Sequence, residues 1–177
     1  MIPQTPQLHA RDSSGRPNPC RRILVAGGAG FLGSHLCHTL LHEEHIVICM
    51  DNFTTGRMSN IALMLNDPNF ILIQHDITQP LPNIGFVDEI YNLAYAAYPE
   101  KYQIDPVHTF KTNVWGAMHL LDLAVKFNAK ILQSSTSEVY GDPEISPQPE
   151  IYRGCVNTMG PRSCYDEGKR AAEALFY

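Results

Sequence analysis

The chain has 177 residues, 44% of them hydrophobic and 18% charged, which is enough apolar material for an ordinary core and excludes a disordered or collagen-like chain. Its 13 Lys and Arg against 18 Asp and Glu leave a formal net charge of −5, so nothing draws it in general to nucleic acid or to an anionic membrane. Five scattered cysteines without a CxxC pair, no membrane-length apolar run and no apolar signal core predict a cytoplasmic protein with reduced thiols and no membrane span.

In chain order, residues 1–20 are rich in Pro and Ser and poor in large apolar side chains, and read as a flexible tail before a single domain over 21–177. Arg22 to Ala26 is a β-branched and aliphatic run, followed by the glycine-rich stretch Gly27 to Gly33. Ser34 to Glu43 carries Leu36, Leu40 and Leu41 at helical spacing, and Ile46 to Met50 is a second apolar run ending at Asp51. Strands are expected at Phe70–Gln74, Glu89–Leu93 and Ile131–Gln133, and helices over Pro106–Phe127 and Ser163–Tyr177. Short aliphatic strands alternating with helices predict an α/β fold: a Rossmann-like, doubly wound parallel sheet with helices on both faces.

Gly27-Gly28-Ala29-Gly30-Phe31-Leu32-Gly33 is a GxxGxxG pattern between a strand and a helix. Such glycines let the backbone turn tightly and approach a pyrophosphate, at which the following helix points free N–H groups and its positive dipole end. Alone, the pattern could be a structural turn. With Asp51 closing the second strand, where a carboxylate reaches an adenosine ribose, it predicts dinucleotide binding. The carboxylate would repel a 2′-phosphate, so NAD is favoured over NADP, with Arg57 nearby as a partial counterweight.

Tyr165 and Lys169 stand at i, i+4 on a predicted helix and project from one face. A nearby ammonium favours the phenolate, turning a poor base into a usable one; the plain alternative is an amphipathic surface pair. Ser134-Ser135-Thr136-Ser137-Glu138-Val139-Tyr140-Gly141 follows a predicted strand, where a hydroxyl can hold a substrate hydroxyl or merely cap a turn.

Taken together, GGAGFLGSHL, DNFTTGR, SSTSEVYGDPE and GPRSCYDEGKRAAE resemble UDP-glucuronic acid decarboxylase (UDP-xylose synthase), an extended short-chain dehydrogenase/reductase, over about Arg22 to Tyr177. The resemblance implies Tyr165 as catalytic base, Lys169 as its partner, Thr136 as hydroxyl helper and Glu138 as a further acid/base group. It implies that NAD is held by Gly27, Gly30, Phe31, Leu32, Asp51, Asn52, Thr55, Gly56, Leu93, Thr112, Ser134, Tyr165 and Lys169, with Asp76 and Ile77 at the adenine. Lys111, Thr136 and Glu138 are implied at a UDP-sugar substrate. It also implies a homodimer through the helices near 106–127 and 163–177, and a C-terminal sugar-binding part beyond this chain.

The chemistry suits those roles. Oxidation of the sugar 4-hydroxyl, with Tyr165 taking the proton and NAD the hydride, makes a β-keto acid that can lose carbon dioxide; return of the hydride restores NAD and leaves a pentose. Alternatives are a non-catalytic NAD-binding or dimerisation module, or a nucleotide-sugar 4-epimerase or 4,6-dehydratase. The dehydratases resemble this segment but have an Asp-Glu pair after the threonine, where Ser137 stands here, and the epimerases usually lack a carboxylate at the Glu138 position. Where the decarboxylases continue with small residues and prolines after Asn92-Leu93-Ala94, this chain has Tyr95-Ala96-Ala97-Tyr98-Pro99. Those tyrosines are expected to crowd the nicotinamide and sugar pocket. Ile151 to Thr158 likewise departs from the DYWGxVNP pattern.

His35, His38, His42 and His45 lie in or after the first helix, but with no carboxylate or cysteine to complete a set they predict a polar face and no metal. Cys164, beside Tyr165, is expected to be a buried, inert thiol.

Overall fold

A computed structural model describes residues 19–177. The tail expected over 1–20 therefore lies outside the described residues except for Pro19 and Cys20, which are exposed. The elements are β1 (Arg22–Ala26), α1 (Phe31–His42), β2 (Ile46–Asp51), α2 (Met58–Ile61), β3 (Phe70–Gln74), β4 (Glu89–Asn92), α3 (Pro99–Tyr102), α4 (Pro106–Phe127), β5 (Lys130–Gln133) and α5 (Ser163–Phe176), with 3-10 turns at Ala62–Met64 and Ser137–Tyr140.

All five strands run parallel in the order β3-β2-β1-β4-β5. Strand alternation builds two cores from one sequence run. Ile23 and Val25 of β1, with Val47 and Cys49 of β2, face Cys37 and Leu40 of α1. Leu24 and Ala26, with Ile48 and Met50, face Ile90 and the α4 residues Leu120 and Ala124. Each fully buried aliphatic side chain contributes roughly 1.5–3 kcal/mol. With β1 buried on both faces, a continuous apolar run is the right sequence signature for it.

The helix ends have local causes. The Asp105 side chain accepts from the His108 N–H at 2.9 Å, Pro106 opens α4, and Asn128 closes it in the left-handed region at φ 53°. Helix α1 starts at Phe31, earlier than the spacing of its leucines predicts, because Gly30 serves as its N-cap. The four-residue helices α2 and α3 were not anticipated; neither is long enough to show a period. Among the described residues no helix is long and apolar enough to cross a membrane, and no group of three or more His, Cys, Asp or Glu could hold a metal ion.

Candidate active site

The C-terminal ends of the parallel strands open into a cleft of about 580 Å³, where ligands sit in folds of this class. Gly27 crosses from β1 at φ +80°, and its N–H donates to the Met50 carbonyl at 2.8 Å, so the turn is pinned to the end of β2. A Cβ at Gly33 would lie 2.1 Å from the Gly27 carbonyl oxygen; only glycine lets α1 start this close to the turn. Gly30 offers no side-chain cap and the first turn of α1 holds no acidic residue. The helix therefore presents unsatisfied N–H groups and positive dipole to the cleft.

Of the residues expected at the cofactor, Gly27, Gly30, Phe31, Leu32, Asp51, Asn52, Thr55, Ile77, Leu93 and Thr112 line this cleft. Asp51 is buried, and its two oxygens accept from the Ala29 N–H at 2.9 Å and the Phe53 N–H at 2.8 Å. It thus braces the glycine turn while lone pairs remain for a diol. Gly56 stands against that carboxylate, where a Cβ would come within 2.7 Å of an oxygen. Asp76 does not line the cleft. It accepts from the Thr78 N–H and from Asn52, and pairs with His108 Nε2 at 2.7 Å. Those hydrogen bonds hold its carboxyl down at about 2 in spite of burial. Ser134 bridges β4 and β5, its hydroxyl donating to the Asn92 carbonyl at 2.8 Å.

The second cluster follows β5. Thr136 caps the 3-10 turn Ser137–Tyr140, and its hydroxyl donates to the Glu138 carboxylate. Arg162 holds the other Glu138 oxygen at 3.4 Å and reaches Asp166 at 3.5 Å. Tyr165 is 4% exposed; burial pushes its pKa up to about 12, Tyr95 and Glu138 add to the rise, and a hydrogen bond with Thr136 opposes it. Thr136, Glu138 and Tyr165 are therefore brought together. Lys111 is engaged differently, its ammonium over the Trp115 ring at 4.7 Å.

Lys169 has no exposed surface, and burial pulls its pKa down to about 7, with Glu173 opposing. Its ammonium donates to the Ser134 carbonyl at 2.9 Å and sits 3.1 Å from the Tyr95 ring centroid, against 6.0 Å from the Tyr165 ring. The i, i+4 spacing does not set the ammonium on the tyrosine. The lysine's charge is turned to Tyr95, and Tyr165 is harder to ionise than a free tyrosine, not easier. Lys169 and Tyr165 do not line the cleft; Tyr95 does.

Three features went unread in the sequence. Arg162, His108 and His75 occupy the site without belonging to any recognisable spacing. The His75 Nε2 is buried without a hydrogen-bond partner among the described residues, in a side chain that lines the cleft. His45 is buried beside β1, accepting from the Arg21 N–H at 3.3 Å, and so leaves the polar face to which the other three histidines were assigned. Cys164 is half-buried with its thiol toward the Tyr102 carbonyl at 3.7 Å, and burial raises its pKa, as an inert thiol requires.

Comparison with known proteins places this geometry. The profile of the family described as GDP-mannose 4,6 dehydratase matches residues 24–177. UDP-glucuronic acid decarboxylase 5 of Arabidopsis thaliana is 54% identical over 157 residues, covering 88% of this chain and 46% of the relative. UDP-glucuronic acid decarboxylase 1 of Xenopus tropicalis is 51% identical over 157 residues, covering 89% and 37%. The chain thus spans less than half the length of these relatives. Among solved structures, the dTDP-glucose 4,6-dehydratase DesIV of Streptomyces venezuelae, with NAD and TYD bound, superposes at a TM-score of 0.75 and 28% identity, covering 87% of this chain and 50% of that one.

Proposed function

Because the chain belongs to the family described as GDP-mannose 4,6 dehydratase, within the epimerase/dehydratase superfamily, we propose that it carries the NAD-binding and catalytic residues of a UDP-glucuronate decarboxylase, which makes UDP-xylose through a 4-keto intermediate. The observation that carries this reading is the convergence of Thr136, Glu138 and Tyr165 after β5, in a chain about half identical to proteins named for that activity.

The cleft suits a dinucleotide. The bare N-terminus of α1 fits a pyrophosphate, Asp51 a ribose diol, and the unpartnered His75 nitrogen a polar edge of the ligand. NAD, when bound, supplies the acceptor and later the donor of a hydride. The chain's own groups do the rest. Once the Lys169 ammonium leaves the Tyr95 ring and faces Tyr165, its charge favours the phenolate. Tyr165 then removes the proton of the sugar 4-hydroxyl while Thr136 holds that hydroxyl and Lys169 binds a cofactor ribose. Glu138, fixed by Thr136 and Arg162, moves a proton at the sugar as the carboxylate leaves and carbon 5 is protonated again. Lys111 is assigned to the sugar nucleotide, and Gly56, Asp76 and Ser134 to supporting the cofactor shell.

The exposed apolar face of α4, with Val107, Trp115 and Met118, supports a homodimer through α4 and α5, and five scattered cysteines without a CxxC pair support a cytoplasmic setting. The test is release of carbon dioxide and a UDP-pentose from UDP-glucuronate with NAD present. NAD binding without turnover would instead support a non-catalytic module, a reading favoured by the cover over Lys169.

A further inference from the structure

Tyr95 belongs to the segment Leu93–Tyr98, every residue of which lines the cleft. Between β4 and α3 this segment has neither helix nor strand. One end is tied by the Ala94 N–H to the Asn92 side chain at 3.3 Å, and the other is the N-cap of α3 at Tyr98. The Tyr95 ring lies 3.1 Å from the Lys169 ammonium and 6.2 Å from the Tyr165 ring. Lys169 is wholly buried and its remaining polar contact is the Ser134 carbonyl. The ring therefore stands between the cleft and the two residues that have to act on what the cleft holds.

The ammonium has three donors, of which the Ser134 carbonyl and the Tyr95 ring face engage two, so a donor remains for a ribose hydroxyl. What the ring denies is access: Lys169 has no exposed surface, and Tyr95, not Lys169, lines the cleft. A buried ammonium on a ring face is also a favourable contact in its own right, so it opposes displacement of the ring. Resting on the NAD reading above, we propose that Tyr95 is a positioning residue that gates Lys169: its ring shields the ammonium from the cleft, and a dinucleotide gains the lysine only when the ring moves aside. The gate makes binding weaker than the cleft alone would allow, because the competent arrangement is a minor one.

The full chain tests this with two readouts: trace acetylation of Lys169 by acetic anhydride, quantified by peptide mass, and NAD affinity by titration calorimetry. Tyr95→Ser and Tyr95→Ala each remove the ring, so loss of one to misfolding leaves the other. Tyr95→Phe keeps the ring face. The ring-less variants should acetylate Lys169 about tenfold faster and bind NAD several-fold to about tenfold more tightly, while Tyr95→Phe stays within about twofold of the unaltered chain. Unchanged acetylation in the ring-less variants, with NAD still bound, overturns the gate and leaves the cofactor reading standing. A phenylalanine variant as reactive as the serine one also overturns it, since the ring face would not be the shield. Faster acetylation with no NAD binding in any chain overturns the cofactor reading, and the gate with it.

Discussion

Tyr102 and Tyr165 stack face to face, their ring centroids 4.8 Å apart and their planes 9° from parallel. A residue from the short helix α3 therefore forms the wall against which the candidate base is set. The Tyr102 backbone carbonyl also accepts from the Thr109 hydroxyl at 2.9 Å, so α3, α4 and α5 meet at this one residue.

The Tyr102 hydroxyl is buried without a hydrogen-bond partner among the described residues. Removing it leaves nothing unpaired, so Tyr102→Phe should keep or raise stability by up to about 1 kcal/mol. Tyr102→Ala leaves a cavity beneath Tyr165 and should cost about 3–5 kcal/mol. Urea unfolding of the two variants checks this; a phenylalanine variant as damaged as the alanine one would mean the hydroxyl is paired.

Lys169 gives stability a pH dependence of known sign. Its pKa is about 7 in the fold against 10.5 in a free lysine, so between those values the unfolded chain binds the extra proton. Stability should therefore rise from about pH 7 toward 10.5. Tyr165 acts oppositely: free tyrosine ionises near 10 and this one near 12, so stability falls again across that interval. Tyr95, Tyr165 and Glu173 are the titratable groups around the ammonium. Lys169→Met should flatten the rise near pH 7 to 10, measured as melting temperature against pH.

Asp51 should set cofactor choice. NAD should bind clearly better than NADP, and Asp51→Ala should narrow that gap. Because the same carboxylate holds the Ala29 and Phe53 amides, the substitution should also lower the melting temperature, an effect of about 1–3 kcal/mol for buried donors left unpaired. Equal affinity for both cofactors in the unaltered chain would refute the assignment.

Glu138→Gln keeps the side-chain shape and its hydrogen bond from Thr136 while removing the ionisable group. Turnover of UDP-glucuronate should fall by about 10²–10⁴-fold, with NAD affinity nearly unchanged. A variant with near-normal turnover would make the carboxylate a structural partner of Arg162 and nothing more.

The strands were legible because their chemistry is local. Ile23 to Ala26 and Val47 to Met50 are all buried, and only a sheet covered on both faces needs such unbroken runs. The glycine turn and Asp51 were legible for the same reason, since each follows directly from the end of a strand. The partners of the site were not. Tyr95 meets Lys169, Arg162 meets Glu138 and His108 meets Asp76 only after remote segments are folded together, and no spacing encodes such contacts. The YxxxK spacing likewise puts a charge four residues from the tyrosine on one helix, whereas the aromatic face that takes up that charge, Tyr95, comes from the segment between β4 and α3.

The strand order has a bearing on how the chain is made. Val25 of β1 pairs with Cys49 on one side and with Tyr91 on the other. As the chain leaves the ribosome, β1, β2 and β3 can zip together early, yet the far edge of β1 keeps open amides until β4 emerges, and the face carrying Leu24 and Ala26 stays uncovered until α4 follows. Closing that longer loop carries only a slowly growing entropic penalty, but such non-local pairings are late events in folding. The central strand of the finished sheet is thus an exposed margin of the nascent one, and the interval from residue 51 to the end of α4 at Phe127 is when a chaperone would have most to protect.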